Sequence, residues 1–147
     1  LDLEKFSTSE ILEKLLCMFP TKRHRVKIDN HISNEQINID EMKFTLALRN
    51  LLDNAIKYSP INNDICLIVI KKDDIEFQVK DTGIGVDQKD IQNLTKPFYQ
   101  ADQSVSTKGF GLGLTICKKI IESHKGKLSI QSKKGKGSLF ILHLPIN

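Results

Sequence analysis

Asn50, Asn54 and Lys57 stand at positions i, i+4 and i+7 of one continuous run from Leu48 to Tyr58. On a helix that spacing puts two carboxamides and an ammonium group on one face. Asparagine is a middling helix former because its side chain competes for backbone hydrogen bonds, so a mid-helix pair asks for a reason. A carboxamide oxygen is a hard ligand suited to magnesium, and an ammonium group one turn on suits the phosphates that accompany such an ion. Asp81, followed by Thr82, Gly83, Ile84 and Gly85, offers a second chemistry. A carboxylate there can accept a hydrogen bond from an exocyclic amine, and glycines beside it let a flat ring approach the backbone. That favours adenine, whose N6 donates, over guanine, whose O6 is a second acceptor. An incidental aspartate in a turn is the competing reading. A third segment, Gly109-Phe110-Gly111-Leu112-Gly113-Leu114, leads into helical spacing and offers unpaired N–H groups to a phosphate. It lacks the ending of a P-loop and the strand-first context of a dinucleotide fold. A flexible loop running into a helix fits the same residues.

The elements that must position these groups follow from hydrophobic period and punctuation. Ser7 and Ser9 are candidate caps for a helix over Ile11, Leu12, Leu15, Leu16 and Phe19, closed by Pro20. Val26, Ile28 and Ile32, then Ile37 and Ile39 beyond the turn-like Ser33-Asn34, predict a short hairpin. Asp40 caps the asparagine helix, whose buried stripe is Phe44, Leu48, Leu51, Leu52, Ala55 and Ile56, and Ser59-Pro60 ends it. The apolar run Ile65 to Ile70 reads as a strand in mid-sheet or covered on both faces. After the turn Lys72-Asp73-Asp74, alternation of Ile75, Phe77 and Val79 makes a second strand that delivers Asp81 to its end. Between Asp81 and Gly113 the pattern loosens around one short helix, Asp87 to Leu94, and a connection this long is usually functional. Phe98 and Tyr99 within it either pin a lid or cover a neighbouring helix. Helical spacing returns from Leu112 to Ser123. Lys127–Gln131 and Ser138–Leu144 then predict a hairpin around a basic turn from Lys133 to Gly137.

Composition narrows the class. The 147 residues are 39% hydrophobic and 27% charged, which suits one globular domain over residues 1–147. The net charge of +4 comes from scattered lysines, and no aromatic is interleaved near the basic turn for base stacking, so nucleic-acid binding is not expected. Cys17, Cys66 and Cys117 are far apart in apolar stretches and read as reduced core thiols of a cytoplasmic domain. His24, His31, His124 and His143 have no metal-ligand spacing. No apolar run is long enough to cross a bilayer, and no export signal is present. The chain starts without methionine, as a fragment of a longer protein would, and any membrane segment is expected upstream of it.

In order and spacing these segments resemble the N, G1, F and G2 boxes of the catalytic, ATP-binding domain of bacterial two-component sensor histidine kinases. The N box is Asn50 to Pro60 with Asn54, Lys57 and Tyr58; the G1 box is Asp81 to Gly85 with Gly83 and Ile84. The F box lies around Pro97-Phe98-Tyr99 and the G2 box is Gly109 to Leu114. The closing Gly135 to Phe140, with its strand ending at Leu144-Pro145, is similar to that family's C-terminal end. The resemblance implies a two-layer α/β sandwich of the Bergerat type, a mixed sheet with three main helices on one face and an ATP lid at roughly residues 95–111. It implies Asn54 as a magnesium ligand supported by Asn50, Lys57 against phosphate, and Tyr58 lining the cleft. Asp81 would take the adenine N6 amine, and Gly83, Ile84 and Gly85 would shape the adenine pocket. Phe98 would belong to the lid, Gly109, Phe110, Gly111, Leu112 and Gly113 would admit the phosphates, and Phe140 would reach the pocket floor.

The implied activity is transfer of the ATP γ-phosphoryl group to a histidine on an upstream dimerisation domain, with a response regulator receiver domain as the next partner. The parent would be a homodimer anchored in the inner membrane. Two departures stand out. Gln100 occupies the position where many members carry an arginine, with Lys108 as a substitute that offers a point charge instead of a bidentate fork. None of the four histidines lies in the phosphoacceptor's His-acid context, so the acceptor is expected outside this chain. The alternatives are a related ATPase of the superfamily such as an anti-sigma-factor serine kinase, or a degenerate nucleotide-binding interaction domain.

Overall fold

Residues 1–96 and 113–146 are described by the computed structural model. The chain opens with strand β1 (Glu4–Ser7) and helix α1 (Thr8–Leu16). Ser7 closes a capping box with Glu10, accepting that residue's N–H while the Glu10 carboxylate accepts the Ser7 N–H. Ser9 is not the cap; its hydroxyl donates to the Ser33 carbonyl. Phe19 is buried in the core but lies beyond the end of α1.

A 3-10 turn at Arg23–Arg25 leads into β2 (Val26–Asn30), and β3 (Gln36–Ile39) follows. These two strands do not form the expected hairpin. Strand β3 pairs antiparallel with β1, and β2 adds parallel to β4 (Ile65–Lys71). Alternation marked both as strands, but Ser33-Asn34 belongs to a four-residue turn that hands the chain from one sheet to another. The Thr8 hydroxyl holds that crossing by donating to the Ile32 carbonyl at 2.7 Å.

Helix α2 (Glu41–Tyr58) is capped as its sequence predicts, the Asp40 carboxylate accepting the N–H groups of Lys43 and Asp2. The two amides, Asp2's first, hold that carboxyl below the usual range. The whole stripe from Phe44 to Ile56 is buried, each large apolar side chain contributing roughly 1.5–3 kcal/mol by area. Strands β4 and β5 (Ile75–Asp81) pair antiparallel, and β5 continues onto β7 (Gly137–Leu144), which closes the hairpin with β6 (Lys127–Lys133). The five-stranded order is β2-β4-β5-β7-β6, mixed because only β2 runs parallel to its neighbour. Strand β4 is interior, as its apolar run implied, and only alternate residues, Ile65, Leu67 and Val69, are fully buried.

Helix α3 (Gln88–Ile91) is a single turn, shorter than the expected Asp87 to Leu94, and successive turns carry the chain on to Leu94. Helix α4 (Gly113–Ser123) packs along α2, where the Cys117 thiol donates to the Ala47 carbonyl. Burial pushes that thiol up to about 12, so it acts as a core group, whereas Cys17, just past the end of α1, is exposed and Cys66, on the outer face of β4, is half-buried, so they are not the core thiols expected. At the far end of α4, His124 donates from Nδ1 to the Ile120 carbonyl and accepts the Asp40 N–H at Nε2. One buried imidazole thereby ties the end of α4 to the start of α2. Helices α1, α2 and α4 share one core with the inward residues of the five-stranded sheet, which is the expected two-layer arrangement.

Candidate functional site

Strand β5 sends Ile75, Phe77 and Val79 into the core, and Asp81 is the next residue on that same inward face. Its carboxylate therefore ends up only 5% exposed. Oδ1 accepts the Gly83 N–H at 2.9 Å, and the amide of Ser138, its partner across the β5–β7 ladder, donates to it as well. Burial raises the acid's pKa above its ordinary range, and the two amides only partly oppose this. Among the described residues no cation pairs with it.

The segment after Asp81 is clamped from two sides. Ile84 N–H donates to the Tyr58 carbonyl at the C-terminal end of α2, at 3.3 Å, and the Ile84 carbonyl accepts the Gly135 N–H at 2.7 Å. Gly83 lies so close to the helix end that a Cβ would overlap the Tyr58 carbonyl oxygen. Gly85 has φ +69°, in the left-handed region, and a Cβ there would overlap the Lys133 carbonyl. Both glycines are thus required by close backbone approach, as a flat ligand against that backbone would also require. Phe140, opposite Val79 on the same inward face as Ser138, is 6% exposed.

The asparagine face lies further back along the same helix. Asn50, Asn54 and Tyr58 are spaced i, i+4 and i+8, a stripe of about 12 Å along the axis. Asn50 and Asn54 are half-buried and Lys57 is exposed. Asn50 Nδ2 donates to the Gly113 carbonyl at 3.5 Å, bringing the first residue of α4 against this face across 63 positions of sequence. Among the described residues no hydrogen bond engages the Asn54 carboxamide or the Lys57 ammonium group. The expected residues Phe98, Lys108, Gly109, Phe110, Gly111 and Leu112, with Gln100 and most of the lid, lie outside the described residues.

Other groups emerge only from the fold. Asn63 donates to the Thr82 hydroxyl at 2.7 Å, and the Ser132 hydroxyl accepts the Val86 N–H at 2.8 Å. On the opposite face of the sheet, Asp74, Glu76 and His143 converge, although no spacing announced them. Their bonds are already made: His143 Nδ1 lies 3.1 Å from Asp74, its Nε2 2.8 Å from the Ser129 hydroxyl, and Gln78 donates to Glu76.

Residues 39–147 match the family described as histidine kinase-, DNA gyrase B-, and HSP90-like ATPase. The adaptive-response sensory kinase SasA of a Synechococcus species is 31% identical over 138 residues, covering 92% of this chain and 37% of the relative. The sensor protein RprX of Bacteroides fragilis is 32% identical over 99% of this chain and 30% of its own length. The chain thus spans about a third of the curated relatives it matches. The catalytic domain of the histidine kinase ThkA superposes with a TM-score of 0.84 over 99% of this chain and 98% of its own, at 24% identity. A mycobacterial sensor histidine kinase, MprB, gives 0.83 at 22% identity, over 97% of this chain and all of that one. These two likenesses show the fold, and the glycine and aspartate positions that build the clamped segment fall inside the matched region. The chain belongs to the histidine kinase-, DNA gyrase B- and HSP90-like ATPase family, as the ATP-binding catalytic domain of a sensor histidine kinase.

Proposed function

We propose that this domain binds magnesium-ATP along α2, with the base at Asp81 and the phosphates at the asparagine face, and presents the γ-phosphoryl group to a histidine on another domain. The observation that carries this reading is the buried Asp81 carboxylate, set between two backbone surfaces that only glycines allow. A buried carboxylate with amide donors and no cation is costly unless a further donor completes it, and the adenine N6 amine is such a donor. Back along the helix from Tyr58, the carboxamides of Asn54 and Asn50, about 6 and 12 Å away in axial rise, and the neighbouring Lys57 offer neutral oxygens and one positive charge.

That donor set fits magnesium held jointly with phosphate oxygens, since two neutral ligands do not make a cage on their own. Asn54 would hold the ion, Asn50 would support that face from its bond to Gly113, and Lys57 would meet phosphate. Tyr58 and Phe140 would line the base end, and Ile84 would border the ring. Gly109, Gly111 and Gly113, with Phe110 and Leu112, would admit the phosphates, and Phe98 and Lys108 would act from the lid. Magnesium supplies charge neutralisation when bound; the chain's own contribution is to orient the nucleotide and exclude water from its base.

In the parent protein the acceptor would be a histidine of a dimerisation domain, and a response regulator receiver domain would take the phosphoryl group onward. The parent would be a membrane-anchored homodimer; among the described residues no helix is long and apolar enough to cross a membrane. The test is to mix the chain with a histidine-bearing helical dimerisation domain and γ-labelled ATP. Acid-labile, alkali-stable label on that domain is expected, and none on the chain alone. Label on serine of a protein partner would point to the serine-kinase branch, and nucleotide binding without transfer would point to a binding module.

A further inference from the structure

Ser132 lies on β6 at the hairpin turn, 46 residues from the segment it touches, and it is 9% exposed. Its single hydroxyl meets three groups. It accepts the Val86 N–H at 2.8 Å, lies 3.0 Å from the Gly137 carbonyl and 2.7 Å from the Ser138 hydroxyl. A hydroxyl has one proton and two lone pairs, so one arrangement satisfies all three contacts. Ser132 donates to Gly137, and accepts from both Val86 and the Ser138 hydroxyl. That leaves the Ser132 oxygen saturated and the orientation of the Ser138 hydroxyl set by it.

The connection matters because each neighbour leads to the base end. Val86 ends the segment that begins at Asp81, and the Ser138 amide donates to the Asp81 carboxylate. The Ser132 carbonyl is used too, accepting from the Gln88 side chain at 2.8 Å just beyond that segment. The hairpin turn also supplies the Gly135 N–H to Ile84 and the Lys133 carbonyl that Gly85 abuts. The segment from Asp81 to Val86 is therefore anchored to the hairpin at three consecutive residues, Ile84, Gly85 and Val86, and Ser132 is the only one of these anchors made by a side chain.

We infer that Ser132 is a positioning residue for the nucleotide base: through Val86 and Ser138 it fixes the shape of the Asp81 segment, and so sets affinity for adenine nucleotides and their preference over guanine nucleotides. It is not a ligand of the nucleotide. The inference rests on the assignment of the base to Asp81. Without the hydroxyl, the Val86 N–H and the Ser138 hydroxyl lose their common acceptor, and the segment gains freedom that binding must then remove. The anchors at Tyr58 and Gly135 remain, so the segment loosens without unfolding.

The test compares Ser132→Ala and Ser132→Thr with the unaltered chain, by calorimetric titration with ATP, ADP and GTP and by exchange of the Val86 amide. The alanine variant is expected to bind ATP and ADP more weakly by the same factor, about five- to ten-fold, because a lost buried hydrogen bond has that scale. The preference for ATP over GTP should fall, and the Val86 amide should exchange faster. Threonine, which keeps the hydroxyl, should restore all three. If alanine at this position prevents folding, Ser132→Cys has nearly the same volume with a poor acceptor and takes its place. Unchanged affinity, or a loss that leaves the ATP-to-GTP preference intact, would overturn the inference. Asp81→Asn run in parallel separates the two layers: if it too leaves adenine binding unchanged, the base assignment itself has failed.

Discussion

The C-terminal end of α2 and the asparagine face that precedes it are finished to different degrees. At its C-terminal end the Asp81 segment is closed by the protein's own bonds, with Tyr58, Gly135 and Ser132 each holding one backbone group. One to eight residues back, the asparagine face has one long contact, Asn50 to Gly113, while the described residues leave Asn54 and Lys57 unengaged. Both regions are polar and both are reached from the same helix. The difference teaches how a site divides its tasks: a base of fixed shape can be met by a rigid pocket, whereas phosphates and their ion bring their own charges and need open ligands.

The sharpest way to break this contrast is at Asp81. Asp81→Asn should weaken ATP by about 100-fold, because a hydrogen bond to a charged group is worth roughly 1.5–3 kcal/mol and an amide that presents its NH2 opposes the base donor. Stability of the unliganded domain should hold or rise, since burying the ionised acid is itself unfavourable. Gly83→Ala comes next. Its methyl would overlap the Tyr58 carbonyl, so the variant should lose about 2 kcal/mol in denaturant titration, the scale of overpacking at a rigid site. A variant as stable as the parent would show that the clamp gives way easily. Asn54→Ala should leave fold and magnesium-free affinity intact and remove only the part of ATP affinity that magnesium adds, about ten-fold.

The smallest effect is on pH. The Asp81 pKa is raised in the folded chain, so the native state binds the proton more tightly than the unfolded state. Relative to Asp81→Asn, the parent should gain stability as pH falls through that raised value and lose it as pH rises. ATP affinity should move the other way, because the protonated acid loses an acceptor. Parallel thermal melts and titrations at stepped pH would show the two trends crossing. Trends of the same sign would remove Asp81 from the base site.

Much of this contrast could be read along the chain. The Asp40 cap, the apolar stripe of α2 and the alternation of β5 locate the asparagines and the aspartate correctly, because local period and punctuation determine them. Gly83 and Gly85 were legible as close-approach positions, although not what they approach. Partners across sequence were not legible. Val26–Asn30 alternates like half of a hairpin, yet its mate is β4, and nothing in its own residues says so. Strand β1 has no buried residue and shows no apolar alternation, so it gave no signal at all. Ser132 looks like any polar residue beside a turn; its task exists only once the β6–β7 register sets it against Val86. Contacts that depend on register rather than period are invisible to a reading of one chain.

The most direct test is a calorimetric titration of ATP, with and without magnesium, into the parent chain, Asp81→Asn and Asn54→Ala. Loss of affinity in both conditions for Asp81→Asn, and only with magnesium for Asn54→Ala, is the expected result. If magnesium still tightens ATP binding to Asn54→Ala, or if Asp81→Asn binds ATP as the parent does, the division of the site between the Asp81 segment and the asparagine face of α2 is wrong.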